Sequence, residues 1–393
     1  MPAAPELKAR AAAAVETLRP TILALSARVH ANPEPAFEEF QAATWCAEAI
    51  AGAGYVVEHP AGRLATAVRG RLTGGQGAGG PRIGVLAEYD ALPGLGHGCG
   101  HNTMAASGVG AALALAALRD AFAGEIVFLG TPAEERGSGK QFMLDDGLLD
   151  GLDAALLFHP GDRDMVGCML LASEDVDVTF TGKAAHAAGE PWEGKNALDA
   201  VVLLFQGIGL WRQQLPQHAR VHGIVREGGT AANIIPDRAT ARFMIRSTDQ
   251  AYFESMRDRF RALVDGAAMM ADVKSELVFS GGSTTMKDSE VLAGLWRTNL
   301  EAAGHVDEGV DPEHIGSSDM GNVSLVLPTI HPTLAICDHG VPWHSIESRD
   351  AAATPRADET TLLAATLVAQ TALDLLADPA LVEAAWREFR GEG

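Results

Sequence analysis

A chain of 393 residues exceeds what one ordinary core fills, since domains usually hold about 100–200 residues, so two domains are expected. Acidic residues outnumber basic ones by 51 to 30, for a net charge of −21, which argues against nucleic acid or anionic membrane as a partner. The four cysteines, Cys46, Cys99, Cys168 and Cys337, are scattered along the chain rather than spaced as a disulfide framework, and a reduced, cytoplasmic setting is expected.

The N-terminal stretch carries Glu6 and Glu16 among its alanines and has no basic start followed by an apolar run. It reads as a helix and not a signal peptide. The glycine-rich GGQGAGGP at residues 74–81 is a surface loop between strands. RIGVLAEYD, a Gly/His loop, an alanine-rich segment around residues 104–118, GEIVFLG and DAALLFHP then alternate strand-like and helix-like, the rhythm of an open α/β sheet. The run at 104–118 contains glycines and falls short of a membrane span, so a helix buried against the sheet is expected.

From about Ser173 the texture changes. EDVDVTFTG alternates like a half-exposed antiparallel strand, residues 196–214 look helical, RATARFMIRS alternates again, residues 249–270 are helical and VKSELVFSG follows. Residues 173–286 are therefore expected to form an inserted α+β unit. Residues 1–172 and 287–393 form the surrounding α/β domain, with an open, mostly parallel sheet to which the helix DSEVLAGLWRTNLEAAG and the apolar strand PTLAIC return.

In open α/β sheets ligands bind beyond the carboxyl ends of the strands. Four such ends carry metal-type residues: His97, Cys99 and His101 after IGVLAE, Glu134 and Glu135 after IVFLG, His159 after AALLF, and Asp338, His339 and His344 after PTLAIC. A lone histidine or a glutamate pair usually has a structural or solvated role, but four coincident ends are hard to explain by packing. The mixture of sulfur, nitrogen and oxygen suits Zn²⁺ or Mn²⁺ over Ca²⁺ or Mg²⁺. Five or six ligands exceed the four of a structural zinc and point to two metal ions. Of Glu134 and Glu135, one would bind metal and the other act as general base toward metal-activated water; the residues alone leave open which. The rival for Cys99 is a nucleophile with a histidine partner, although its flanking glycines fit a loop wrapped around an ion. Cys46, Cys168 and Cys337 read as small buried thiols.

The segments EYDALPGLGHGCGHN, GTPAEERGSGK, LFHP, AAHAAGEPWEGKNALDA, GGTAANIIPDRATARFMIRS, SSDMGNVSLVLPTIHP and GVPWHS together resemble the dinuclear metallopeptidase family of aminoacylase and carboxypeptidase G. Within it they are similar to the branch of aminobenzoyl-glutamate hydrolase, the indole-acetyl-amino acid amidohydrolases and certain dipeptidases. The resemblance implies a catalytic domain holding two divalent metal ions, and an inserted lid domain that pairs with its twin in a homodimer. It implies Cys99, His101, Glu135, His159 and His344 as metal ligands, with His339 or His331 as substitutes for His344, and Glu134 as general base. It also implies that His186 reaches a neighbouring active site to stabilise the oxyanion, and that Asn233 and Arg246 hold the substrate's amide and free carboxylate. Many relatives have Asp where this chain has Asn102, which leans away from the plant-hormone-conjugate type.

The expected activity is metal-dependent hydrolysis of the amide bond of an N-acyl amino acid, an aminobenzoyl-glutamate-like conjugate or a dipeptide. Two rivals make different demands. A binding or regulatory homologue would not need the complete ligand set and Glu134, and an amidase using Cys99 as nucleophile would resist chelators.

Overall fold

The computed structural model describes residues 2–310 and 316–392, which divide into two compact units. The larger comprises the chain up to Met169, residues 286–310 and Asp319 onward. Its centre is a six-stranded sheet: β1 (Val56–Glu58), β2 (Val68–Thr73), β4 (Glu125–Thr131), β3 (Arg82–Glu88), β5 (Ala154–Leu156) and β11 (Thr329–Ile330), in that spatial order. The β4–β3, β3–β5 and β5–β11 pairings are parallel; β1–β2 and β2–β4 are antiparallel. β3 and β4 are buried from their second residue to their last, as strands covered on both faces must be, which explains their unbroken apolar sequences.

Helix α3 (His101–Ala117) lies on β3 and is buried through Leu115. Gly108 permits that approach: a Cβ there would meet the Ala87 side chain at 2.7 Å and the Leu86 carbonyl at 2.8 Å. α1 (Pro5–Ala31) and α10 (Pro355–Ala377) pack beside α3, α2 (Phe40–Gly52) lies over β2, and α7 (Glu290–Ala302) and α11 (Pro379–Phe389) pack around α10. The short helices α4 (Gly139–Asp145), α8 (Met320–Ser324) and α9 (Ile346–Ala351) belong to the same unit. By length and composition α10 could cross a membrane, yet 78% of its apolar window is buried in the fold. It is a core helix of this unit.

One expected strand is placed differently. PTLAIC does not join the main sheet: Thr333–Ala335 (β12) pairs in parallel with His159–Gly161 (β6) as a separate two-stranded ribbon, and β11 completes the sheet instead. Pro332 separates β11 from β12; lacking an N–H, it cannot continue a ladder. His159 accordingly follows β5, as expected, and also opens the short strand β6.

The smaller unit comprises residues 170–285 with 316–318, and its first and second limits fall three and one residues earlier than the sequence suggests. Leu170 bridges Gly316 and the Leu171 N–H donates to the Gly316 carbonyl at 2.8 Å, which ties these residues to the smaller unit. Its four-stranded antiparallel sheet runs β10 (Lys274–Ser283), β7 (Ala172–Thr181), β9 (Arg238–Ser247), β8 (Ala219–Glu227). Alternate residues of β7 and β9, such as Val176, Val178, Phe180, Ala241, Phe243 and Ile245, form its core with α5 (Ala197–Arg212) and α6 (Gln250–Ala271). Edge strand β8 has no counterpart in the sequence reading. Beyond Val221 its residues are exposed, so it lacks the alternation that reveals a half-buried strand.

Candidate metal centre and active site

The loop after β3 leads through Gly100 into α3. Gly100 has φ +74°, and a Cβ there would lie 2.8 Å from Pro160; only glycine lets this loop press on the β6–β12 ribbon. The result is that Cys99 Sγ lies 3.5 Å from His159 Nε2, with His101 as the first residue of α3. The turn after β4 brings Glu134 and Glu135, whose side chains are only 9% and 8% exposed. His344, at φ +59°, donates its N–H to the Gly98 carbonyl at 3.3 Å and sets Nε2 3.5 Å from Glu135 Oε2. Three groups of potential ligand atoms, each within 4.8 Å of one another, result among the described residues: Cys99/His101/His159, Cys99/Glu135/His344 and Glu88/His101/Glu134. The five expected ligands, Cys99, His101, Glu135, His159 and His344, thus meet with Glu134, joined through Cys99 and His101.

The donor atoms fit a metal centre. His101 Nδ1 faces the Asp90 carbonyl and Oδ1, both at 3.0 Å, so the ring proton belongs there. Among the described residues His101 Nε2, Glu135 Oε1 and Glu88 Oε2 are buried without a hydrogen-bond partner. Buried polar atoms are rarely left so, and lone pairs gathered around a common point suit a divalent cation. His159 Nδ1 lies 2.6 Å from the Pro160 carbonyl, which likewise leaves Nε2 as the ligating atom.

Burial, with the charges of Glu88 and Glu135 adding to it, pushes the Glu134 carboxyl well above the usual range. Burial also raises Glu135 and lowers His159 to about 3, keeping that ring neutral as a ligand requires. For His101 burial opposes the charged form, but Cys99 and Asp90 prevail and raise it. Desolvation, followed by the charge of Glu135, pushes the Cys99 thiol up. A nucleophilic cysteine needs the opposite shift, which speaks against the amidase reading, whereas a divalent cation stabilises the thiolate directly.

Several residues that frame the site escaped the sequence reading. Glu39, fully buried, accepts from the N–H groups of Phe37 at 2.9 Å and Ala133 at 2.8 Å, and so holds Ala133 at φ +59° immediately before Glu134. Asp90 Oδ2 accepts from the Glu135 N–H at 2.9 Å. Lys140 pairs with Glu88 and Asp319. The available signal was a charged residue at or next to the end of an apolar strand, as with Glu88 and Asp90. The other candidates lie outside the ligand groups. His339 turns to Glu308 at 3.2 Å, buried His331 faces the Leu157 carbonyl at 3.1 Å, and buried His97 approaches the Val29 carbonyl at 3.1 Å. Asn102 Nδ2 donates to Ser26 Oγ and the Ala352 carbonyl, both at 2.9 Å, a structural tie.

In the smaller unit, exposed His186 accepts through Nδ1 from the N–H groups of Ala188 at 3.2 Å and Gly189 at 2.9 Å. Its proton therefore sits on Nε2, and the ring presents a donor to its surroundings. The backbone joins this segment to that of Asn233, whose carbonyl accepts the Ala187 N–H at 3.0 Å. Asn233 is exposed. Arg246, near the end of β9, is half-buried and donates through Nε to Met244 Sδ at 2.9 Å.

Residues 84–373 match the model of Peptidase family M20/M25/M40. A Xaa-Arg dipeptidase of Mus musculus is 36% identical over 401 residues, covering 98% of this chain and 92% of its own. One of the p-aminobenzoyl-glutamate hydrolase subunits of Escherichia coli (strain K12) is 33% identical over 300 residues, 71% of this chain and 62% of its own. A Bacillus subtilis protein described as a dinuclear metal binding peptidase from M20 family shares the fold, with a TM-score of 0.70 at 20% identity over 92% of this chain and 99% of its own. A family match over most of the sequence, together with a cluster of metal-type ligands beyond the sheet, leads to one conclusion: the chain belongs to Peptidase family M20/M25/M40 and is a metal-dependent hydrolase of amide bonds.

Proposed function

We propose that the larger unit holds two divalent ions, Zn²⁺ or Mn²⁺, through Cys99, His101, Glu135, His159 and His344, and that it hydrolyses the amide bond of a small substrate bearing a free carboxylate. The observation that carries this reading is the convergence of these five side chains with Glu134, where His101 Nε2 and Glu135 Oε1 are buried without partners. Bound divalent ions supply Lewis acidity for the carbonyl and the attacking water.

Glu134 takes a proton from that water as the oxygen bonds to the carbonyl carbon. It then returns the proton to the amine nitrogen as the C–N bond breaks, leaving a carboxylic acid and an amino acid. Its raised proton affinity suits a group that must hold a proton between the two steps. His186 donates from Nε2 to the oxyanion, Asn233 holds the substrate amide and Arg246 its carboxylate; the Nδ1 contacts of His186 support the first of these roles.

Among the substrate classes, the nearly full-length likeness to a dipeptidase supports dipeptides first, ahead of N-acyl amino acids and aminobenzoyl-glutamate-like conjugates. The smaller unit is the lid and dimerisation domain. A homodimer is supported by edge strand β8, whose Ile224 and Val225 are exposed, and by exposed Val202 and Leu210 on α5, since an unpaired apolar edge invites a second copy. Four free cysteines suit a cytoplasmic setting. The test is release of free amine, followed by mass spectrometry, from a panel of the three substrate classes with chelator-stripped protein, with and without Mn²⁺ or Zn²⁺. Metal-dependent release is expected, and release that ignores metal overturns the reading.

A further inference from the structure

Glu88 closes β3 and is fully buried, as are Lys140 and, to within 1%, Asp319. Lys140 Nζ lies 2.5 Å from Glu88 Oε1 and 2.5 Å from Asp319 Oδ1, while Asp319 Oδ2 accepts the Lys140 backbone N–H at 2.9 Å. The lysine is held at both ends, and Glu88 cannot turn away without stranding a buried charge. Glu88 Oε2 is thereby fixed in direction, and it points at His101 Nε2, 3.3 Å away.

Among the described residues neither of these two buried atoms has a hydrogen-bond partner. His101 Nδ1 faces two acceptors of Asp90, so the neutral ring keeps its proton there and Nε2 presents a lone pair. That lone pair and Glu88 Oε2, facing each other in a dry interior, repel unless a proton or a metal cation lies between them. A divalent cation takes the place of the proton that the raised affinity of the ring would otherwise hold. Their separation also matches two neighbouring ligands on one ion, which stand roughly 3.0–3.4 Å apart for bonds of about 2.1 Å. Glu134 Oε2 lies 3.9 Å from the same nitrogen.

We infer that Glu88 is itself a metal ligand, sharing one ion with His101, and that Lys140 and Asp319 are positioning residues that aim its free oxygen. The inference rests on the metal reading above and adds Glu88 to the five ligands expected from the sequence. An additional oxygen donor shifts the preference of that ion toward Mn²⁺ relative to a set of nitrogen and sulfur alone.

The test uses the full chain and Glu88→Gln, each loaded with Co²⁺, and reads ions bound per chain, affinity by titration, and the visible absorption of the bound cobalt. The natural protein is expected to hold two ions. Glu88→Gln should weaken one of them at least about tenfold and change its absorption while the other is unaffected. Asp319→Asn, which leaves Lys140 a single carboxylate, should perturb the same band, and an unchanged band removes its positioning role. If Glu88→Gln does not fold, Glu88→Asp draws the oxygen back by one methylene with its charge kept, and the same weakening is expected. Unchanged stoichiometry, affinity and spectrum in the folded variant overturn the assignment of Glu88. A natural protein that binds no ion overturns instead the metal reading on which it rests.

Discussion

Replacing Lys140 by methionine isolates the electrostatic frame of the site. The lysine is completely buried and sits 2.5 Å from two carboxylates that are 0% and 1% exposed. Breaking a buried ion pair by removing one partner costs about 3–5 kcal/mol, because the other charge stays uncompensated. Each kcal/mol moves Tm by about 2–4 °C in a domain of 150–250 residues, so a fall on the order of 10 °C is expected at pH 8. The deficit depends on pH in a definite direction. Burial alone would raise the Glu88 carboxyl, but Lys140, followed by His101, His331 and His159, brings it to about 2 from an ordinary 4.5; its contribution is present above pH 4.5 and lost as pH falls toward 2. In Lys140→Met burial is opposed only by the smaller pull of His101, His331 and His159, the folded protein takes up an extra proton as the pH falls, and the deficit shrinks as pH drops from 8 toward 5. Thermal melts of metal-free protein across that range provide the assay. A variant that melts within about 2 °C of the natural protein at pH 8, or a deficit that grows on acidification, refutes the reasoning.

Glu39 offers the opposite sign. Burial, with the charge of Asp90 adding to it, raises its carboxyl from 4.5 to about 7, so its folded state holds a proton that it loses as pH climbs through 7. About 3 kcal/mol of stability should fade between pH 4.5 and pH 7. Glu39→Gln should remove that slope in melts followed over the same window, and an unaltered slope would exonerate Glu39. Cys99→Ser should weaken metal binding at least about tenfold by isothermal titration, while alkylation of metal-loaded natural protein should spare activity. Chelator-resistant turnover destroyed by alkylation would restore the nucleophile reading. A charge on the exposed edge, Ile224→Lys, should yield monomers by light scattering with metal content intact and turnover reduced. Full activity in such a monomer would remove the proposed role of His186 in a neighbouring site.

Much of the site was legible because its residues follow apolar strands that are buried on both faces. β3 and β4 announce themselves as continuous apolar runs, and the thiol, imidazoles and carboxylates after them stand out against that background. The unbroken run of Arg82–Glu88 also concealed something: Glu88 belongs to the strand itself, and nothing local shows that a lysine 52 residues later reaches it. Long-range pairing of this kind leaves no period in a sequence. β8 was hidden for a different reason, since beyond Val221 it is exposed on both faces and has no alternation to read. The misplacement of PTLAIC came from its apolar character, which identifies a strand but not its neighbour; Pro332, which divides it from Thr329–Ile330, carried the missing information. The alternating patterns of β7 and β9 reported both the strands and the buried face, because one side of their sheet is covered by α5 and α6.

Glu134→Gln tests the central claim most directly, by measuring turnover and bound metal on the same preparation. The variant keeps the shape of the side chain but cannot accept and return a proton, so kcat should fall by about 10²–10⁴-fold with metal content unchanged. Turnover close to that of the natural protein would contradict Glu134 as the general base, and loss of metal together with activity would make it a ligand instead.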